Sequence, residues 1–429
     1  MKVTIVGAGY VGLVQAAILA DKGHEVLCYD SNEERIKQLR KGVCPIHEPG
    51  LPELLKSGVK ADRLFFAHSM ESALNWGEII FICVGTPPLP DGSPDLQFID
   101  KVAREIGAAM TTVKIVVNKS TVPPGTAKRV LRIIKENQTS DIPVDVVSNP
   151  EFLREGSAVK DAMQGDRIVI GADSWKVTDT MMELYRDFPI RLLCTDTASA
   201  EMIKYASNAF LATKISFINA VAQICESVGA DVSEVARGMG MDSRIGDKFL
   251  NAGLGWGGSC FGKDASAMVH VAKEVGYDFK LLQATITTNE EMPQWYLQKV
   301  RQELGGFQDR IIAVLGVAFK PDTDDMRDAR SVPIIQQILD EGAIVRAYDP
   351  AAEQNARPLM IGVEWPGDIE VLTDCADAIL ILTEWSQFKT LDWKGIQQRM
   401  RFPRVFDGRN MFDRYEMEQL GFEYHSMGR

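Results

Sequence analysis

Cys260 is the cysteine whose neighbours best suit nucleophilic chemistry. It lies in the segment GWGGSCFGKD at residues 255–264, among glycines that let a ligand approach the backbone closely. Lys263 and Asp264 follow at once, and a nearby ammonium favours the thiolate, which is the reactive form of a cysteine. A small buried hydrophobic residue is the alternative interpretation of any cysteine. The segment favours a covalent nucleophile at Cys260.

Lys204 and Asn208 are candidates for stabilising a developing negative charge. They are four residues apart in a stretch without glycine or proline that runs from residue 199 to residue 228, so they share one helix face. Lys204 interrupts apolar sequence, and a lysine removed from water there can donate to an alkoxide. A solvated helix lysine is the alternative interpretation.

A glycine-rich turn near the N-terminus predicts a dinucleotide site. Gly7, Gly9 and Gly12 form GxGxxG between an apolar strand and a helix. The first glycine allows the tight bend, the second admits a pyrophosphate, and the third lets helix and strand pack closely. Asp30 ends the next strand, where a carboxylate binds ribose hydroxyls and repels a 2′-phosphate. The pattern predicts NAD rather than NADP, with Arg35 near the adenosine; a turn without ligand is the alternative.

A nucleophilic cysteine beside NAD indicates a particular oxidation. The thiolate can add to an aldehyde, and the thiohemiacetal can then lose hydride and leave a thioester for water. Two loops, residues 120–126 and 149–156, follow apolar strands at the sheet edge where doubly wound folds bind ligands. Glu151 and Glu155 are therefore candidates for proton transfer or ligand contact, and proline-braced turns are the alternative.

Lys320 and Arg327 place positive charge in the last third of the chain. They belong to FKPDTDDMRDARS at residues 319–331, which follows an apolar strand and precedes a helix. This order is typical of a nucleotide cradle, and a solvated charged loop is the alternative interpretation.

The order of strands and helices predicts an α/β fold. After the first βαβ unit, apolar strands at residues 79–85, 114–120 and 144–150 predict a doubly wound parallel sheet to about residue 195. One helix of about 30 residues is predicted from residue 199, and a helix that long bridges domains or pairs with a second copy.

The strand pattern returns from residue 310 and predicts a second Rossmann-like sheet. Its second strand ends in Asp349, as the second strand of the first sheet ends in Asp30, but the three-glycine turn is missing. We therefore expect two Rossmann-like doubly wound parallel sheets joined by a central helical domain. The predicted domains are residues 1–198, 199–303 and 304–429.

Composition excludes several classes of protein. The 429 residues carry 47 Lys and Arg against 59 Asp and Glu, a net charge of -12, which argues against a nucleic-acid binder. The seven cysteines form no CxxC pair, so neither a disulfide framework nor a metal site is expected. No signal-peptide pattern and no apolar run of about 18 residues occurs, so we expect no membrane contact and a cytoplasmic location.

Taken together, these segments resemble the UDP-glucose/GDP-mannose dehydrogenase family over essentially the whole chain. The matching motifs are GAGYVGL (7–13), EPGL (48–51), ICVGTP (82–87), STVPPGT (120–126), NPEFLREG (149–156), EMIKYASNAF (201–210), DSRIG (242–246), GWGGSCFGKD (255–264), GVAFKPDTDDMRDA (316–329), TEW (383–385) and FDGR (406–409). The resemblance implies an oxidoreductase of nucleotide-sugar metabolism that oxidises the C6 hydroxyl of UDP-glucose to UDP-glucuronate, a step toward polysaccharides, in four electrons and with two NAD.

The resemblance also implies roles for individual residues. The catalytic set would be Cys260, Lys204, Asn208, Asp264, Thr121 and Glu151. NAD would contact Gly7, Gly9, Tyr10, Val11, Gly12, Asp30, Arg35, Thr86, Thr121, Glu155, Lys263 and Arg327. The UDP-sugar would contact Glu151, Phe152, Leu153, Lys204, Asn208, Arg244, Phe249, Leu250, Asn251, Ala252, Gly253, Gly257 and Lys320.

Within these sets, the resemblance makes Cys260 the nucleophile and Lys204 and Asn208 the oxyanion donors. Asp264 would assist through water or orient Lys204. Arg244 would reach the sugar of a neighbouring subunit, which requires a homodimer built on the long helix.

Two positions depart from the family pattern. Gly262 stands where relatives often have proline, and Asn251 stands where some have lysine. The first is expected to loosen the cysteine loop and the second to alter a phosphate contact. GDP-mannose is the alternative substrate, while amino sugars are disfavoured because the GGHC-type loop is absent. A two-electron hydroxyacid dehydrogenase and a silent NAD-binding scaffold are the alternatives from other classes.

Overall fold

The structure is a computed structural model that describes residues 1–429. Its strands are β1 (Lys2–Val6), β2 (Glu25–Tyr29), β3 (Leu64–Phe66), β4 (Ile79–Ile82), β5 (Lys114–Asn118), β6 (Val144–Ser148), β7 (Arg167–Gly171), β8 (Arg191–Thr195), β9 (Ile311–Leu315), β10 (Ile344–Tyr348), β11 (Ala378–Ile381), β12 (Arg404–Asp407) and β13 (Glu423–Ser426).

One or two helices lie between most successive strands, and four helices in a row lie between β8 and β9. The helices are α1 (Tyr10–Asp21), α2 (Glu33–Arg40), α3 (Leu51–Lys60), α4 (Met70–Trp76), α5 (Gln97–Ala109), α6 (Thr126–Asn137), α7 (Ala158–Gln164), α8 (Trp175–Leu184), α9 (Thr197–Val228), α10 (Val232–Gly240), α11 (Gly258–Glu274), α12 (Lys280–Leu304), α13 (Ser331–Asp340), α14 (Glu353–Ala356), α15 (Ile369–Thr373), α16 (Trp393–Arg399) and α17 (Arg414–Gln419).

The first sheet has eight strands in the order β3-β2-β1-β4-β5-β6-β7-β8. Strands β1 to β6 run parallel in the doubly wound order, which confirms the predicted fold class. β7 pairs with β6 in the antiparallel direction through Ser148 and Gly171, and β8 continues parallel to β7. The strand order reverses between β1 and β4, so the glycine turn after β1 lies at the switch point where such sheets bind ligands.

Both faces of this sheet are covered, which explains why its central strands are apolar throughout. Helices α1, α3, α7 and α8 bury residues such as Leu13 and Met181 on one face. Helices α4, α5 and α6 bury residues such as Ile106 and Ile134 on the other. All four residues of β4 are buried, as expected for a strand of a doubly covered parallel sheet.

The second sheet has five parallel strands in the order β10-β9-β11-β12-β13. It repeats the first at its opening turn: the Gly7 N–H donates to Tyr29 O and the Gly316 N–H to Tyr348 O, each at 2.8 Å. The Asp349 carboxylate accepts the Val317 N–H at 2.7 Å. The two sheets therefore share the same hydrogen bonds at their opening turns, as expected for the predicted repeat.

The predicted long helix is α9, which has 32 residues. Two compact units share it: residues 1–207 with 266–276, and residues 208–265 with 277–429. The division into three domains at residues 198 and 303 stays a prediction. None of the helices is both long and apolar enough to cross a membrane.

Candidate active site

The glycine turn after β1 has the geometry that a bound dinucleotide needs. Gly7 has φ +103°, and a Cβ there would lie 2.5 Å from Cys83 O; a Cβ on Gly12 would lie 1.8 Å from Gly7 O. Neither position can therefore hold a side chain. A Cβ on Gly9 would meet nothing within 4 Å, which leaves open space where the second glycine admits a pyrophosphate. Helix α1 begins at the next residue, Tyr10, and presents its N-terminal N–H groups.

Asp30 lies beside this turn, as the sequence predicted. Its carboxylate accepts the Ala8 N–H at 2.7 Å and the Asn32 N–H at 2.8 Å. Arg35 contacts it through Nη1 at 3.1 Å. The structure thus brings Asp30 and Arg35 together at the end of β2, and their contact with a ribose stays a prediction.

Glu48 has a positioning role that the sequence did not reveal beyond its place in the EPGL motif. Its buried carboxylate accepts the Tyr10 hydroxyl and, at 2.7 Å, the Gly156 N–H. It also accepts the Val159 N–H at 3.2 Å. Glu48 therefore ties the first residue of α1 to the loop that contains Glu151 and Glu155.

The loop after β5 is fixed by groups from two other segments. The Thr86 hydroxyl donates to Thr121 O at 2.9 Å, so these two predicted cofactor residues are in contact. Glu201 accepts the Gly125 N–H at 2.6 Å and the Ala127 N–H at 2.8 Å, at the start of α6. Burial raises the pKa of Glu201, although these hydrogen bonds oppose the rise. The sequence places Glu201 in the motif at residues 201–210 but gives no sign of this role, because only its partners reveal it.

Glu151 and Lys204 form a buried ion pair. The Lys204 ammonium lies 3.0 Å from Glu151 Oε1, and both side chains are almost fully buried. The Leu153 N–H donates to Glu151 Oε2 at 2.6 Å. Burial alone would raise the pKa of Glu151, but the Lys204 ammonium and the Leu153 N–H outweigh it and hold the pKa below its ordinary value. Lys204 is therefore not a solvated helix lysine, and the alternative interpretation is wrong.

Phe152 lies between two cationic side chains, one of which is Lys204. Its ring lies 5.5 Å from the Lys204 ammonium and 3.8 Å from the Arg167 guanidinium carbon. Three predicted substrate residues, Glu151, Phe152 and Lys204, thus lie together.

Cys260 occupies the first turn of α11, a 17-residue helix that begins at Gly258. Its side chain is partly exposed, and its sulfur lies 3.5 Å from the Ser259 hydroxyl. The N-terminal end of a helix carries partial positive charge, which stabilises an anion such as a thiolate. Position and exposure both suit a reactive thiol rather than a core residue.

Asp264 links two of the other predicted residues. Its buried carboxylate accepts the Asn208 amide N–H at Oδ2 and the Lys263 ammonium at Oδ1, both at 2.6 Å. Asp264 therefore fixes the orientation of Asn208. It also pairs with the Lys263 ammonium, which the sequence analysis expected to favour the Cys260 thiolate.

The cysteine loop packs tightly on the loop that carries Lys320 and Arg327. The Gly258 N–H donates to Arg327 O at 2.9 Å, and a Cβ on Gly257 would lie 2.2 Å from Asp328 O. The Lys320 ammonium lies 5.6 Å from the Phe319 ring centroid. The structure thus brings these substrate and cofactor candidates to one place.

The remaining predicted substrate residues are spread over the segment before the cysteine loop. Leu250 and Ala252 are buried in a hydrophobic cluster with Ile218, so only their backbone is left for a ligand. Phe249 has φ +65° and packs edge-on against Phe261. Asn251 is exposed. Arg244 is 87% exposed and paired with Asp242.

Three family models match the chain in order. They are those of the UDP-glucose/GDP-mannose dehydrogenase family: the NAD binding domain at residues 1–189, the central domain at 198–291 and the UDP binding domain at 313–414.

Individual relatives match over the full length. The UDP-glucose 6-dehydrogenase TuaD of Bacillus subtilis is 46% identical, with 100% of this chain and 93% of the relative covered. The UDP-glucose 6-dehydrogenase of Rhizobium meliloti is 45% identical, with 100% of both chains covered. The solved structure of a UDP-glucose dehydrogenase from Pyrobaculum islandicum superposes with a TM-score of 0.93 at 39% identity, covering 100% of this chain and 97% of that one.

Proposed function

The chain belongs to the UDP-glucose/GDP-mannose dehydrogenase family, and we propose that it oxidises C6 of UDP-glucose to the carboxylate of UDP-glucuronate. The family that the motifs predicted is therefore confirmed. The chain is a dehydrogenase, and its cofactor is NAD. The observation that carries the reaction is Cys260 in the first turn of α11, four residues before Asp264, whose carboxylate binds Asn208. The names of the relatives support UDP-glucose as the substrate. A simple alcohol oxidation would need no such thiol.

The proposed reaction has two hydride transfers and one hydrolysis. When bound, NAD supplies the hydride acceptor for each oxidation. The C6 hydroxyl loses a proton and a hydride and becomes an aldehyde. Cys260 Sγ then adds to the aldehyde carbon and forms a thiohemiacetal, which loses its hydroxyl proton and a second hydride and becomes a thioester. Water displaces the thiol and releases the carboxylate, so Cys260 is regenerated.

The chain's own groups have separate tasks in this scheme. Asn208, oriented by Asp264, and Lys204, paired with Glu151, donate to the oxygen on C6 as negative charge develops there. Glu151 and Thr121 take part in proton transfer and in orienting water. Because Glu151 is held ionised at neutral pH, it suits the role of a proton acceptor.

The remaining predicted residues bind the two ligands. Residues 7–12, Asp30, Arg35, Thr86, Glu155, Lys263 and Arg327 would contact NAD. Residues 249–253, Gly257, Lys320 and, from a neighbouring subunit, Arg244 would contact the UDP-sugar. A reducing cytoplasm would keep Cys260 as a thiol.

We expect two NADH for each UDP-glucose consumed. Purified protein given excess NAD and limiting UDP-glucose should form them with UDP-glucuronate, followed by absorbance and mass spectrometry. GDP-mannose and a simple hydroxyacid should give little or none. A ratio of one would remove the thioester route, turnover of GDP-mannose alone would make that sugar the substrate, and tight NAD binding without turnover would favour a scaffold.

The long helix supports a homodimer. Phe210, Phe217 and Ile224 recur every seven residues on α9 and are 66%, 52% and 61% exposed. Residues seven apart lie on nearly the same face of a helix, so these side chains form an apolar stripe that a second copy can cover.

Phe217→Glu is expected to convert the dimer to a monomer, because two carboxylates would be buried in the pairing. Light scattering after gel filtration measures the mass directly. Tyr415→Glu is the control, since Tyr415 is 69% exposed on α17 and its change should leave the mass unaltered. A wild-type monomer, or a Phe217→Glu dimer, would contradict the proposed pairing.

A further inference from the structure

Lys119 is a buried lysine that none of the roles above uses. It follows β5 directly, and its side chain is 7% exposed. Its ammonium donates to Asn149 Oδ1 at 3.1 Å and forms no salt bridge. Lysine is almost never buried without a carboxylate partner, because removing the charge from water costs free energy. Such a placement needs a reason.

Asn149, the partner of Lys119, anchors the loop that contains Glu151. Its side chain accepts the Tyr185 hydroxyl at 2.6 Å and donates to Val169 O at 2.7 Å. Its backbone N–H donates to Asn118 O at 2.9 Å. Asn149 is fully buried, and Glu151 lies two residues further along the chain. Lys119 therefore holds the first residue of the Glu151 loop.

The charged and titratable groups that face Lys119 come from four segments. They are Cys83 after β4, Glu151 after β6, Lys204 on α9, and the ring of Tyr185 at 6.0 Å. Burial lowers the pKa of Lys119 to about 8; Cys83 and Glu151 oppose this and Lys204 adds to it. In return, the Lys119 charge is one of the groups that lower the pKa of Glu151.

We propose that Lys119 is a positioning residue for the oxidation, which acts on Glu151 through the Asn149 anchor and through the charge of its ammonium. The proposal rests on the proposed function, because it assigns a task to Glu151. The effect of Lys119 is to keep Glu151 in place and ionised until Glu151 accepts a proton.

Removal of a lysine that only supported the fold would lower the stability of the protein, whereas removal of Lys119 should raise it. Because the pKa of Lys119 is lowered in the folded chain, the unfolded chain binds its proton more tightly. The stability of the fold therefore carries the full cost of burying the charge below about pH 8 and recovers as pH rises above that value. Lys119→Met removes this cost, and Asn149 Oδ1 still accepts the Tyr185 hydroxyl.

The test compares Lys119→Met with Lys114→Met in the full-length protein. Lys114 is a matched control, since it is a buried lysine at the other end of β5 whose pKa burial also lowers. Its ammonium donates to Gly77 O at 2.5 Å. We expect Lys119→Met to raise Tm at pH 7 and to lower kcat at least tenfold, with an unchanged Kd for NAD. Lys114→Met removes a burial cost of the same kind and should leave kcat and its pH dependence unaltered.

The pH profile supplies the second readout. Wild-type kcat should fall as pH rises through about 8, where Lys119 loses its proton. Lys119→Met should lack this fall in kcat at alkaline pH. Its fall in kcat at acid pH should begin at a higher pH than in the wild type, because one group that lowers the pKa of Glu151 is gone. Lys119→Arg keeps the charge, so its alkaline limb should move upward while its acid limb stays.

Two outcomes would overturn the proposal. One is a Lys119→Met protein with wild-type kcat and a wild-type pH profile. The other is a Lys119→Met protein whose Tm and kcat both fall while its pH profile is unchanged, because that is the signature of a structural residue. A wild-type protein without turnover of UDP-glucose would instead reject the proposed function, so the two failures are distinguishable.

Discussion

Cys260→Ser is expected to stop the reaction before its second hydride transfer. A serine hydroxyl is not ionised at neutral pH and is a much weaker nucleophile than a thiolate, so the aldehyde is not captured as an adduct that can become a thioester. The helix dipole at the start of α11 cannot compensate, because it stabilises an anion that serine does not form. Overall formation of UDP-glucuronate should fall by on the order of 10³-fold or more.

Rapid mixing of Cys260→Ser with NAD and UDP-glucose measures this effect. At most one NADH per subunit should form, and mass spectrometry should detect no UDP-glucuronate. Cys375→Ser is the control, since Cys375 is an exposed cysteine in the same compact unit. Unchanged Tm and NAD binding in Cys260→Ser would show that the fold is intact. Steady formation of two NADH per sugar by that variant would reject Cys260 as the nucleophile.

The sequence predicted the central strands of the first sheet well. Strands such as β4 and β5 are continuous apolar runs that end in glycine or polar residues, and the pattern located them within a few residues. β7 (RIVIG) and β8 (RLLCT) went unrecognised although both contain short apolar runs. Such a run by itself does not distinguish a strand from part of a helix.

The aspartates that follow β2 and β10 occupy corresponding positions in sequence but have different surroundings. Asp30 and Asp349 each accept an N–H from the turn after the preceding strand, so the repeat was correctly predicted. Asp349 is buried and also accepts the Trp385 indole N–H at 3.2 Å and the Ala352 N–H at 2.8 Å. Its lone pairs are used within the protein, whereas Asp30 keeps a partly exposed side chain. The second sheet therefore repeats the fold of the first without an aspartate free to take the ribose-binding role that we propose for Asp30.

Residues that hold the candidate site in place were the hardest to predict. Glu48 and Gly156 are 108 positions apart, and Gly125 and Glu201 are 76 apart. A carboxylate in a sequence gives no sign of burial or of a distant N–H partner. Lys204 was predicted because it interrupts an apolar helix, but its pairing with Glu151 required the fold.

Lys204→Met is expected to reduce both activity and stability strongly. It removes a donor to the developing oxyanion, which typically lowers kcat about 10²–10³-fold. It also leaves the Glu151 carboxylate buried without its ion partner. Breaking a buried pair by removing one member costs about 3–5 kcal/mol of the free energy of unfolding. Chemical denaturation and steady-state kinetics measure the two effects separately.

The loss of stability in Lys204→Met should depend on pH. In the wild type the pKa of Glu151 is lowered, so the pair stabilises the fold above the ordinary pKa of a glutamate and this contribution is lost as pH falls through the folded value. In Lys204→Met the ammonium no longer opposes the effect of burial, so the pKa of Glu151 should rise. The loss of stability relative to the wild type should therefore be small at acid pH and grow toward neutral pH. A loss independent of pH would contradict the buried charge as its cause.

The double variant Lys204→Met, Glu151→Gln separates the structural and the catalytic effects of the pair. A glutamine keeps an oxygen that can accept the Leu153 N–H but carries no charge, so the cost of a lone buried carboxylate disappears. Stability should return toward the wild-type value, whereas kcat should remain at or below that of Lys204→Met. If kcat recovered together with stability, the pair would only support the fold and neither residue would act on the reacting oxygen. Separation of the two quantities is what a catalytic pair requires, because the reaction needs both charges whereas the fold needs only that neither buried charge is left without its partner.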